Sequence, residues 1–221
     1  PATAVHLCRK LCRRFISDTP DEALVQQAAK VWMDNHKSAD QIRRVVQFIL
    51  SSEQFRKSAG QKYRRPLELV AGLLRALQLD LRPNQRLVHL LDGCGHTLFS
   101  YPAPTGHPDK ADFWHSPNLL LTRWNTLLAL LLEDWHQLTD ATTVFAQIPA
   151  KLRSSQEITL FFLQRLLPAG HSERLFLKCA NYLAGGGDTG EEPIFYDERE
   201  RRYRLLNTIG LIALSPEFQN R

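Results

Sequence analysis

Apolar residues recur at intervals of three and four along nearly all of this 221-residue chain, and strand-length alternation with period two is hard to find. That spacing gathers apolar side chains on one face of a 3.6-residue turn. It predicts an all-α fold, a mostly antiparallel bundle of eight to ten helices. Val5, Cys8, Leu11, Cys12 and Phe15 form the first stripe, with Arg9, Lys10, Arg13 and Arg14 on other faces. Asp18 to Glu22 reads as a cap, a proline at the first helical position and acids in the first turn, opening a helix through Leu24, Ala28, Val31 and Trp32. Ser38 with Gln41 reads as a capping box before Ile42, Val45, Val46 and Ile49, and Ser154 with Glu157 as another before Ile158 and Phe161. Further helices are expected from Pro66, from about Asn84, from Pro117, after Ser172 and from Asp197 to Leu214. The first ninety-odd residues then hold five short helices, with 56–65 a basic loop. The stretch from Leu119 to Trp135 is apolar on nearly all sides, as a buried central helix would be.

Two segments break the rhythm. Residues 96–116 carry several prolines and a glycine without helical period, yet Leu98, Phe99, Tyr101, Phe113 and Trp114 give them material to pack. An ordered, Pro-rich loop lying over helices is expected there, because long structureless loops in compact domains are usually functional. Gly185 to Pro193 reads as a flexible linker; its GGGDTGEE run lacks the Gly-Lys-Ser/Thr ending of a phosphate loop and follows no strand. An echo links Ser51-Ser52-Glu53-Gln54-Phe55 to Ser215-Pro216-Glu217-Phe218, each closing an apolar helix with a Phe that folds back.

The length suits one domain over 1–221, with a subdivision into 1–95 and 96–221 as the alternative, and buries enough surface to need no metal or disulfide. The chain starts at Pro1 and holds one methionine, Met33, so the expectation is a C-terminal part of a longer protein. Net charge is +5, with residues 1–65 at +7 and the remainder at −2. Such a half could meet nucleic acid, but no aromatic-interleaved, zinc-finger or helix-turn-helix pattern accompanies it, so solvated helix faces are the simpler account. Cys8 and Cys12 share a helical face in poor disulfide geometry, and no CxxC occurs, so all four cysteines read as buried thiols. No apolar run reaches the ~18 residues of a membrane span.

Candidate chemistry gathers around the loop. His96, His107, Asp109 and His115, with Asp112 nearby and Cys94 upstream, could ligate a metal, but neither HExxH nor paired cysteines accompany them. No cofactor is implied. Arg123 and Asn125 interrupt the apolar helix, and a buried guanidinium needs a partner. Asp109 or Asp112 would tie it to the loop; alternatively Arg123 and Asn125 line a ligand pocket roofed by the loop, with His107 and Trp114 beside it. No nucleophile elbow supports covalent catalysis.

Gly95, Leu98, Phe99, Pro102, Pro104, Gly106, Pro108, Asp109, Trp114, Ser116, Pro117, Arg123 and Asn125 together resemble the bacterial domain-of-unknown-function family eighteen-hundred. His6 to Phe15 with Ser17-Asp18, and Leu214 to Phe218, resemble its flanking segments. His96 stands where that family usually has Gln, Thr97 where it has Pro, and His107 where it has Tyr or Trp. The resemblance covers the C-terminal part of members about twice as long. It implies a preceding helical region as a partner and export toward the periplasm or envelope. Residues and resemblance together favour a non-catalytic binding or assembly module, acting with that region and with another protein. An enzyme with a pocket under 96–116 is the alternative, and nucleic-acid binding through 1–65 a third.

Overall fold

The computed structural model describes residues 1–132 and 138–221; Trp135, placed by its sequence pattern in the long apolar helix, lies outside the described residues. The all-α expectation holds. Among the described residues there are twelve α-helices, one 3-10 helix and no strand, only an isolated bridge between Tyr63 and Asn220. They divide into two compact units.

The first unit comprises 1–63, 108–113 and 220–221. It holds α1 (Ala2–Phe15), α2 (Glu22–Asp34), α3 (Gln41–Leu50) and α4 (Glu53–Lys57). The stripe of α1 buries Cys8 and Cys12 against Val25, Ala28 and Ala29 of α2 and Val45 and Ile49 of α3, all without solvent contact. Each buried Val or Ile contributes about 1.5–3 kcal/mol relative to exposure. Three expectations change here. Asp21 caps α2 by accepting from the Ala23 N–H at 3.0 Å, so Pro20 precedes the cap instead of taking the first helical position. Ser38 and Gln41 form no capping box: the Ser38 hydroxyl goes to Asp40 and the Gln41 amide to the Trp32 carbonyl. The sequence 53–57, assigned partly to a loop, is helical because Ser52 accepts from the Phe55 N–H at 3.1 Å.

The second unit comprises 64–107 and 114–219. It contains α5 (Pro66–Leu77), α6 (Gln85–Gly93), Trp114 at the end of the single turn α7 (Ala111–Trp114), α8 (Pro117–Leu132), the 3-10 helix Ala141–Gln147, α9 (Ser155–Leu166), α10 (Glu173–Ala184), α11 (Glu198–Leu214) and α12 (Pro216–Gln219). The capping box at Ser154 and Glu157 forms as read, with Ser154 Oγ accepting from the Glu157 N–H at 3.2 Å and Glu157 accepting from the Ser154 N–H at 3.0 Å. Leu73, Leu127, Leu130, Phe162, Leu163, Ile209 and Ile212 lie in one core. The α8 helix is less enclosed than its composition implies: Leu121 and Asn125 are exposed. Its apolar stripe is broad, but this unit covers only part of it.

The echo of Ser-x-Glu-Phe has a common geometry. In both copies a serine caps a new short helix, α4 or α12, and presents the phenylalanine as that helix's third residue; Ser215 accepts from the Phe218 N–H at 3.3 Å. The two short helices account for part of the excess over ten.

Candidate functional site

The candidate residues fall into separate groups. In the first unit Lys62, 4% exposed, places its ammonium 2.6 Å from Asp18 Oδ1, 2.9 Å from the Asp109 carbonyl and 3.5 Å from Asp109 Oδ1. Asp18 Oδ2 accepts from the Ala111 N–H at 2.6 Å, and Arg14 approaches Asp109 at 3.4 Å. Burial opposes ionisation of Asp18, but the Ala111 N–H and the Lys62 ammonium outweigh it and hold the carboxyl below its ordinary range. Charge-assisted bonds of this kind are about twice as strong as neutral ones. Residues 108–113 are thus held to α1 and its C-terminal turn by an ion-pair cluster.

Arg123 has a partner on α12. In the second unit it is 1% exposed and donates from Nε and Nη2 to Gln219 Oε1 at 3.0 and 2.9 Å, while Gln219 Nε2 donates to the Ala213 carbonyl. A neutral amide, oriented by α12, accepts from two nitrogens of the guanidinium. Asp112, His115 and Asn125 are exposed.

The loop histidines belong to a ring cluster in the second unit. His96 Nδ1 accepts from the Leu67 N–H at 3.3 Å, and its ring meets His107 edge-on at 4.6 Å and Trp114 at 5.4 Å. His107 Nε2 lies 3.0 Å from the Thr97 carbonyl, which can only accept, so that nitrogen carries the proton. Tyr101 stacks on the other side at 4.3 Å. Burial, with His107 adding to it, lowers the His96 pKa to about 4. The imidazole is therefore neutral at physiological pH, with its bare nitrogen already occupied. Phe99, expected to pack, is instead fully exposed with φ at 61°.

Among the described residues no group of three or more His, Cys, Asp or Glu is gathered to hold a metal. All four cysteines are buried free thiols; burial pushes Cys12 up to about 11 and Cys179 up to about 12. Cys94 Sγ sits 3.3 Å from Thr126 Oγ1.

The segment read as a linker is pinned. The carbonyls of Thr189 and Glu191 accept from the Gln156 and Ser155 N–H groups at 3.0 and 3.1 Å, occupying two donors that the first turn of α9 leaves open. Arg204 of α11 straps the other side: it donates to the carbonyls of Leu183 at 3.0 Å and Ile194 at 2.6 Å and to Glu200 at 2.7 Å, and it stacks on Phe195. Glycine is favoured at 185, where φ is +63° and a Cβ would crowd the Arg204 guanidinium.

This strapping leaves a cleft of about 720 Å³ between the loop, α10 and α11. Tyr182, Ile194, Tyr196 and Tyr203 line it and are exposed, Tyr196 to 95%. Asp188, Glu191, Glu192 and Glu200 are also in its lining, with a single cation, Arg204. Burial, then the neighbouring Tyr203, pushes the Tyr182 phenol up, so it stays protonated. Glu200 is held ionised first by the Tyr196 N–H. The remaining α11 arginines do not line this cleft: Arg201 pairs with Glu198, and Arg199 and Arg202 flank a separate one beside Leu132. Sequence reading missed the site because its tyrosines are far apart in the chain; the signal available was an acidic Gly-rich run flanked by Tyr182, Tyr196 and Tyr203.

A family model described as "Protein of unknown function (DUF1800)" matches residues 1–220. No curated protein and no solved structure matches the chain.

Proposed function

Since the chain belongs to the DUF1800 family, whose description names no activity, we propose from its own residues that it is a non-catalytic binding module. It receives a positively charged segment of a partner protein in the cleft walled by Tyr182, Tyr196 and Tyr203. The observation that carries the reading is that those exposed rings line one cleft together with Asp188, Glu191 and Glu192. Aromatic faces attract Lys and Arg by about 0.5–1 kcal/mol each at exposed sites, and the carboxylates steer the same cations toward them. Covering Ile194 and Tyr196 adds about 25 cal/mol for each Å² of apolar surface removed from water.

The enzyme alternative under the 96–116 loop is weakened because its candidate groups are engaged: His96 is neutral and already accepts a hydrogen bond, Asp109 faces Lys62, and Arg123 faces Gln219. The basic half is similarly engaged, with Arg9, Arg43, Arg44, Lys57 and Lys62 all paired to carboxylates.

Anisotropy of a fluorescein-labelled Lys/Arg-rich peptide, titrated with the chain at low salt, tests the reading. The expected result is saturable binding that weakens with salt and falls about tenfold, or ~1.4 kcal/mol, in both Glu191→Gln/Glu192→Gln and Tyr196→Ala/Tyr203→Ala. Absence of binding, or undiminished binding by these surface variants, overturns it.

A further inference from the structure

A second cavity lies in the same unit, between α8, α10 and the turn from α11 into α12, with a volume of about 520 Å³. Its walls are Leu175, Leu211, Leu214 and Trp124, with Cys179 beside them. Leu211 is 40% exposed although its neighbours Ile209, Gly210, Ile212 and Ala213 on α11 are buried. Two features set this cavity apart from an ordinary surface groove.

The first is an unmet donor. Trp124 Nε1 is buried and has no hydrogen-bond partner, while its ring lines the cavity. An indole N–H can only donate, and a buried donor left unmet is destabilising, so the position calls for an acceptor oxygen. The neighbouring polar groups do not supply one. Ser172 Oγ accepts from the Leu175 N–H as the cap of α10 and donates to Glu217 Oε1 at 2.7 Å, which uses both groups to join α10 to α12.

The second is the charge of the rim. Arg174 and Lys178 line the cavity from α10, four residues apart and thus on one helical edge. Neither is paired with a carboxylate among the described residues. Glu217, the one acid of the lining, is held ionised despite burial, chiefly by Ser172, so the lining carries one net positive charge. The cavity volume is within the range of small-molecule sites, about 300–1,000 Å³, which combine apolar walls with a few placed polar groups.

From the orphaned indole and the cationic rim we propose that this cavity binds an amphipathic carboxylate, an alkyl chain ending in an acid group. The chain lies along Leu175, Leu211 and Leu214, an oxygen of the acid accepts from Trp124 Nε1, and Arg174 and Lys178 balance its charge. The inference is independent of the cleft at residues 185–196, which shares none of these residues.

The test uses the whole chain labelled with 15N at its four tryptophans, with the Trp124 indole signal assigned by its loss in Trp124→Phe. Decanoate, titrated below its micelle-forming concentration, is expected to shift that signal saturably. Arg174→Gln/Lys178→Gln, exposed changes that leave the fold intact, is expected to weaken binding about tenfold. Decanol, which offers an acceptor without charge, is expected to bind more weakly than decanoate by a similar factor. An unmoved Trp124 signal at saturating decanoate overturns the proposal and leaves water as that donor's partner. Equal binding of decanol, or undiminished binding by the double variant, also overturns it.

Discussion

Replacing Lys62 by methionine removes the cation from the ion-pair cluster and keeps most of the side-chain volume. Two short hydrogen bonds disappear, to Asp18 Oδ1 at 2.6 Å and to the Asp109 carbonyl at 2.9 Å. Hydrogen bonds to charged groups contribute about 1.5–3 kcal/mol each, and the two carboxylates are left facing one another without their shared cation. Part of that loss is returned, because an ammonium 4% exposed no longer has to be desolvated. The balance expected for breaking one side of a buried pair is a destabilisation of about 3–5 kcal/mol. Asp18 adds a pH signature. Its folded pKa lies below its unfolded value, so its stabilisation is present above the ordinary carboxylate range and is lost as pH falls through the folded pKa. Lys62→Met is expected to abolish most of that dependence. Urea unfolding at pH 7 gives the magnitude, and hydrogen exchange in α1 and α2 shows whether the loss is confined to the first unit. The double variant Lys62→Met/Asp18→Asn is expected to be less destabilised than the sum of the single ones, since it removes the stranded charge as well. A loss under about 1 kcal/mol for Lys62→Met, the size of an exposed pair, refutes the reasoning.

Three further outcomes are expected. His96 binds its proton near 6.5 in the unfolded chain and only near pH 4 in the folded one, so stability falls as pH drops through that window, by up to about 3 kcal/mol. His96→Gln, which can still accept from Leu67, should remove that slope; chemical denaturation from pH 7 to 4 checks it, and an unchanged slope counts against it. Gly185→Ala crowds a Cβ against the Arg204 guanidinium at a positive φ, so a loss of about 2 kcal/mol and faster exchange of the Ser155 and Gln156 amides are expected. The four thiols should resist a disulfide reagent at pH 8 in the folded chain and react only on unfolding; a fast-reacting native cysteine contradicts the raised pKa values of Cys12 and Cys179.

Helices were legible where local chemistry alone decides them. Ser154, Asn84, Ser172 and Asp197 start helices as their sequence reads because each accepts from its own helix's amides, and Pro66 does so because its φ is preset at the first helical position. Reading failed where a capping residue had a stronger distant use. Asp18, read only as part of a helix start signal, has its carboxylate claimed by Lys62 and the Ala111 N–H, far along the chain, and Asp21 is the residue that caps. The surroundings of Arg123 were only partly legible. That a buried guanidinium needs a partner is a general requirement; that the partner is Gln219 depends on α12, a four-residue helix set by Ser215 and invisible to periodicity.

Competition for partners also separates structural from binding residues. The conspicuous residues of the 96–116 region, His96, Asp109 and Trp114, are buried or half-buried, and His96 and Asp109 already have partners; a ligand taking them would have to displace bonds already made. Tyr196, Ile194 and the acids beside them leave apolar surface and charge uncommitted, and Trp124 leaves a donor unmet. A ligand gains most where the fold has left a cost unpaid, because its contacts there replace nothing. By that reasoning the residues to vary first in search of a function are Tyr196, Tyr203 and Trp124. Asp109 and Arg123 are expected to report on stability: their substitution should lower the unfolding midpoint and leave peptide and decanoate affinity, measured below that midpoint, within about twofold of the parent chain.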